Sequence, residues 1–203
     1  MPFLLCIQCN TMPQLILAST SPFRKELLSR LGLAFETVSP CVDESPLSGE
    51  TAEQLVARLS RMKAEAVAKT YSDALIIGSD QVAVLDDQIL TKPGNHDNAV
   101  TQLSRASGRR VTFLTGICLF NSRELRHQVQ VIFYNVVFRK LSKQQIENYL
   151  HRETPYNCAG SFKSEGLGIA LFERLEGDDP TTLIGLPLIT LTKMLEMEGV
   201  EVL

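Results

Sequence analysis

The chain has 203 residues, 44% hydrophobic and 21% charged, which is enough apolar material for a substantial core without disulfide or metal staples. No apolar run approaches the roughly 18 residues that a membrane span requires, which argues against a membrane partner. A net charge of −3 lacks the basic surplus of proteins that grip nucleic-acid backbone, and it favours a small phosphate-bearing ligand held by a few local cations.

The patterned sequence begins late. Met12-Pro13 repeats the Met1-Pro2 start, and the apolar residues between them lack the basic flank of a secretory signal. Residues 1–11 therefore read as an N-terminal extension to a single domain over residues 12–203. Five cysteines, an odd number scattered along the chain, favour free thiols in a reducing cytoplasmic setting over a disulfide framework. Cys6 and Cys9 form a C-x-x-C without a second pair, and His96, His127 and His151 stand alone in sequence, so neither set reads as a metal site.

Gln14 to Ala18 is a short apolar run ended by Ser19-Thr20, which predicts a buried strand. Ser21 is a good N-cap with Pro22 at the first helical position, so a helix is expected to about Leu31, where Gly32 stops it. A short strand is expected over Ala34 to Val38, followed by a polar loop with Asp43, Glu44 and Glu50. Thr51 and Gln54 have the spacing of a capping box for a helix to about Lys69. Ala74 to Leu85 reads as a strand, Asp86-Asp87 as its turn, and Gln88 to Leu90 as a return. Pro93-Gly94 breaks the chain before a helix from Asn95 to Ser107.

Val111 to Phe120 and Glu124 to Phe138 read as long strands around a turn. Ser142 and Gln145 cap a further helix to about His151, Arg152 to Gly168 reads as a glycine-rich loop, and Pro187 to Met197 as a closing helix. Helical crossovers alongside a hairpin imply an α/β fold with a mixed sheet flanked by helices.

Four segments carry polar residues suited to chemistry. Ser19, Ser21, Arg24 and Lys25 cluster where a strand opens into a helix, whose N-terminus favours phosphate; capping alone accounts equally well for the spacing. Asp80 interrupts the apolar run around Ile76-Ile77-Gly78-Ser79, either as a bulge carboxylate or as a metal ligand or base. Lys92 sits at the rigid turn Thr91-Lys92-Pro93-Gly94, and Arg58, Arg61 and Lys63 add cations to one helix. Cys158 to Gly168 places a Lys163/Glu165 pair among three glycines, either a closing loop or merely a flexible one. Walker-type, dinucleotide-binding, serine-hydrolase and zinc-protease motifs are all absent from the sequence.

In this order, S-T-S-P-F-R-K, G-S-D-Q-V, T-K-P-G and S-F-K-S-E-G resemble the Maf family of nucleotide pyrophosphatases, from about Met12 to the C-terminus. The resemblance implies two lobes around a phosphate-binding cleft, as in the related ITPases, commonly in a homodimer. It also implies cleavage between the α- and β-phosphates with a divalent metal, usually Mg or Mn. Asp80 matches the family's proton-acceptor aspartate, while Ser19, Arg24, Glu44, Lys63 and Lys92 match polar residues lining its phosphate and metal site. On this footing Glu44 and Asp80 are the expected metal ligands. Phe23, Gln81 and Glu165 stand where the dTTP/UTP branch has arginine, threonine and glutamine, which resembles instead the branch acting on 7-methyl-GTP.

The chemistry of that substitution is coherent. A carboxylate at position 165 can accept from guanine N1–H and the exocyclic amine, a donor pair that thymine and uracil lack. The methylated guanine ring is cationic, so an aromatic face such as Phe23 and a nearby carboxylate both favour it. The alternatives are the same reaction on dTTP, UTP or a broader set of modified nucleotides, or a non-enzymatic nucleotide-binding regulator of cell division.

Overall fold

The computed structural model describes residues 13–203; the N-terminal extension and its Cys6/Cys9 pair lie outside that range. A 7-stranded mixed sheet is flanked by helices. Strand β1 (Gln14–Ala18) runs into helix α1 (Pro22–Ser29), which Ser21 caps through its hydroxyl, and β2 (Glu36–Val38) then pairs parallel to β1. Helix α2 (Ala52–Ala68) starts from a complete Thr51/Gln54 capping box and leads to the long strand β3 (Ala74–Leu85). β4 (Gln88–Leu90) returns on β3 before helix α3 (His96–Ala106). The hairpin of β5 (Arg110–Asn121) and β6 (Arg126–Phe138), helix α4 (Lys143–Glu153), β7 (Phe172–Glu176) and helix α5 (Leu188–Met197) complete the chain.

The predicted elements form with small differences at their ends. β2 is shorter than expected because only Glu36, Thr37 and Val38 reach β1. The sequence reading missed β7, in which Glu173, Arg174 and Glu176 mask a strand pattern. Charged side chains suit this position, since among the described residues β7 is an edge strand that pairs with β6 alone. It also missed the short 3-10 turn Pro180–Ile184, which presses on the sheet near Thr115.

The layout of β3 leaves a gap in the strand pairing. On one side β3 pairs with β5 along nearly its whole length. On the other side β1 accompanies it only as far as Gly78, and β4 begins at Ala83. Ser79 to Val82 thus lie at a gap between two strands, with separate apolar cores on either side of it. One core gathers β1, α1, α5 and the first half of β3, including Leu17, Leu27, Ile77 and Leu191. The other gathers α3, α4, β7 and the second half of β3, including Leu85, Leu103, Phe138 and Phe162. The long β5–β6 hairpin crosses both halves, contributing Ile117 to the first core and Phe113 to the second.

Candidate active site

Alternation along β3 sends Ser79 and Gln81 to one face and Gly78 and Asp80 to the other. Helix α2 packs on the second face unusually closely. A Cβ on Gly78 would lie 2.0 Å from the Ser60 carbonyl oxygen, and one on Gly116 would lie 2.2 Å from that of Val56. Gly116 is the β5 partner of Asp80, so the sheet beneath the helix is bare where the carboxylate emerges. This close approach delivers Lys63 to Asp80.

The Lys63 ammonium donates to Asp80 Oδ1 at 2.7 Å and lies 2.8 Å from Glu44 Oε1. Lys63 and Asp80 are buried, at 5% and 7% exposure, whereas Glu44 reaches in from the exposed loop before α2. That loop is itself held: Arg58 on α2 donates to both oxygens of Glu50 at 2.6 and 2.7 Å and to the Ser45 carbonyl at 3.1 Å. Hydrogen bonding from Arg58 lowers the Glu50 pKa to about 2. Arg61 pairs with Glu65 on the helix surface instead, so the three cations of α2 have three separate duties.

Across the gap, the Ser19 hydroxyl accepts from the Ser21 amide at 3.1 Å, and Arg24 follows within the first turn of α1. Arg24 Nε donates to the Gly185 carbonyl at 2.8 Å, the same oxygen that accepts from Ser79 Oγ at 2.8 Å. Burial lowers the Arg24 pKa, and the charges of Asp80 and Glu44 oppose that effect. The guanidinium is thus aimed by a backbone carbonyl toward a pair of carboxylates. Phe23, one residue earlier, is exposed at 36%.

Gln81, expected with Phe23 and Glu165 to set substrate specificity, is half-buried on β3. Its amide nitrogen donates to Thr115 Oγ1 at 2.9 Å and to the Thr182 carbonyl at 2.7 Å, tying β3 to the turn at Pro180–Ile184. Lys92 and Glu165 belong to the second half of the molecule and are both exposed. They flank one thiol: burial raises the Cys158 pKa, the Glu165 charge raises it further, and Lys163 and Lys92 pull it back. The Gly94 amide donates to the Tyr156 carbonyl at 2.9 Å, joining the Lys92 turn to the loop that leads to Glu165.

Ser19, Ser21, Arg24, Glu44, Lys63 and Asp80 therefore gather about the gap, while Lys92 and Glu165 are exposed and both act on the Cys158 thiol. Residues that sequence reasoning missed are Ser79, Thr115 and Gly185, which anchor the site from behind; none has a local signature beyond a hydroxyl in an apolar strand. The reading of the histidines as solitary is corrected as well. His96 and His151, 55 positions apart in the sequence, stack at a ring separation of 5.1 Å beside Glu147. Folding α3 against α4 brings them together, which sequence spacing does not reveal.

A mixed sheet with an interrupted strand pairing and a charged cluster at the interruption defines an α/β protein with a polar site set between two apolar halves. The fold is similar to that of the Staphylococcus aureus Ham1 protein, with a TM-score of 0.51 at 14% identity, covering 91% of this chain and 99% of that one. Residues 14–198 match the family described as Maf-like protein, and the chain belongs to that family. It is 56% identical over 191 residues to a 7-methyl-GTP pyrophosphatase of Nitrosococcus oceani, covering 94% of this chain and 96% of the relative. A 7-methyl-GTP pyrophosphatase of Pseudomonas aeruginosa is also 56% identical, and all of it is covered by 94% of this chain.

Proposed function

We propose that this chain hydrolyses 7-methyl-GTP to 7-methyl-GMP and pyrophosphate. The observation that carries the reading is the Lys63 ammonium held between Asp80 and Glu44 at the gap in the sheet, in a chain 56% identical to two 7-methyl-GTP pyrophosphatases. In this reading the Ser19 and Ser21 hydroxyls at the start of α1 receive phosphate oxygens, and Arg24, Lys63 and Lys92 neutralise the charge that develops on departing pyrophosphate. Lys63 engages Asp80 Oδ1, so Oδ2 serves as the acceptor for the proton of a water aimed at the α-phosphorus.

Two carboxylates within reach of one ammonium make an all-oxygen donor set that suits a hard divalent ion, so Glu44 and Asp80 are the residues to hold Mg or Mn. Such an ion would supply charge neutralisation on the triphosphate when bound. Glu165 is assigned to the guanine edge and Phe23 to stacking on the cationic ring, while Gln81 acts indirectly through the turn at Pro180–Ile184. A homodimer working on a small nucleotide, without nucleic acid or membrane, belongs to the same proposal. So does a cytoplasmic location, which the free thiols of Cys41, Cys118 and Cys158 support.

The test is hydrolysis in water labelled with oxygen-18, over a panel of 7-methyl-GTP, GTP, UTP and dTTP. Label in the nucleoside monophosphate, with 7-methyl-GTP turned over best, is the expected result. Label in pyrophosphate, or release of orthophosphate first, places attack elsewhere and rejects the mechanism. A preference for UTP or dTTP rejects the substrate assignment alone.

A further inference from the structure

His96 opens α3, Glu147 and His151 lie one turn apart on α4, and Tyr156 follows in the next loop. His96 Nε2 is 2.7 Å from Glu147 Oε2, and His151 Nε2 is 3.8 Å from that same oxygen. One ligand atom from each residue lies within 4.8 Å of the others. The imidazoles are nearly parallel, at 24°. Stacked in this way they would repel each other as two cations, whereas both nitrogens converge on one carboxylate oxygen. His96 Nδ1 is in turn 3.1 Å from Tyr156 Oη. None of these residues belongs to the cluster around Asp80.

We propose that His96, Glu147 and His151 form a second metal site, selective for a zinc-class divalent ion, that clamps α3, α4 and the Tyr156 loop together. Two imidazoles and one carboxylate supply three ligands of a tetrahedral zinc site, with water completing the set. Nitrogen-rich donors select zinc over magnesium or manganese, the opposite of the all-oxygen pair Glu44 and Asp80. Binding through Nε2 leaves Nδ1–H of His96 to donate to Tyr156 Oη, the outer contact that fixes a ligating imidazole. The Tyr156 carbonyl accepts from Gly94, so the clamp extends to the turn that carries Lys92. The inference stands independently of the proposed reaction.

The experiment uses the full chain with Cys6→Ser and Cys9→Ser, which removes the competing thiol pair, stripped of metal by a chelator. Zn²⁺ is titrated in excess Mg²⁺, which occupies oxygen-only sites, and binding is followed by calorimetry and by the melting temperature. One tight equivalent with a saturable rise in melting temperature is expected. Co²⁺ in its place should show ligand-field bands without thiolate charge transfer. Tyr156→Phe should weaken Zn²⁺ about 10-fold. His151→Ala should weaken it further, and with that side chain 71% exposed the variant keeps the fold. Absence of saturable binding, full displacement by Mg²⁺, or unchanged affinity in both His96→Ala and His151→Ala overturns the proposal.

Discussion

On one side of the gap in β3, Lys63 and Asp80 are almost sealed from water and are supplied by a strand and a helix that touch backbone to backbone. On the other side, Lys92 and Glu165 stand exposed on loops held by contacts such as Gly94 to Tyr156. Charges in the first setting interact strongly and keep their geometry without a ligand, because rigid elements fix them. Charges in the second are screened by water and salt until a ligand excludes it. The contrast suits a division in which the buried cluster, helped by Lys92 on the phosphates, performs one reaction and Glu165 on its exposed loop selects what enters it.

The largest effect is expected at the buried cluster. Asp80→Asn keeps the size of the side chain but removes the proton acceptor, and turnover should fall by ~10²–10⁴ for every nucleotide while nucleotide binding survives. Single-turnover kinetics and a binding isotherm check this together; near-normal turnover would remove Asp80 from the chemistry. Gly78→Ala tests the close packing that positions Lys63. The new methyl meets the Ser60 carbonyl and the Ala64 amide, so α2 must shift, at about 1–3 kcal/mol of stability by chemical denaturation. Unchanged stability and activity together would show that Lys63 does not depend on this contact.

A smaller effect concerns the loop that carries Glu44. Glu50 has a folded pKa lowered to about 2 from the ordinary 4.5, so its contribution is fully present above about 4.5 and is lost as pH falls toward 2. Protease nicking of residues 39–50 should therefore increase as the medium is acidified through that window. In Glu50→Gln nicking should begin higher and depend less on pH; identical profiles would detach the loop from the Arg58–Glu50 pair. The smallest effect is expected from deleting residues 1–11, which precede the first strand of the domain. Turnover and melting temperature should barely change, and a clear loss in either would show that the segment packs on the body.

Much of this architecture is legible in the sequence because local signals act locally. Thr51 with Gln54 and Ser142 with Gln145 form the capping boxes that their spacing predicts. Ala74–Leu85 and Gln88–Leu90 begin and end where the apolar pattern and Asp86-Asp87 place them. Features that depend on distant pairing were not legible. Gly78 and Gly116 look like weak points in their strands, and only their contact with α2 explains them. Gln81 was readable as a polar residue at the site, but its engagement with the Thr182 carbonyl lies 101 positions away. The stacked histidines follow the same rule, since a crossing of two helices leaves no periodic trace.

The division between a common reaction centre and a selective loop is tested most directly by kcat/KM for 7-methyl-GTP, GTP, UTP and dTTP in wild type, Asp80→Asn, Glu165→Gln and Phe23→Ala. Asp80→Asn should lower all four by a similar factor and leave their ratios intact. Glu165→Gln should reduce 7-methyl-GTP by roughly 10- to 150-fold, the scale of a hydrogen bond to a charged group, reduce GTP less, and leave UTP and dTTP level or higher. Phe23→Ala should weaken all four more evenly, because stacking tolerates any base. Equal losses across the four nucleotides in Glu165→Gln would contradict the account, placing that carboxylate on phosphate or metal instead of on the base.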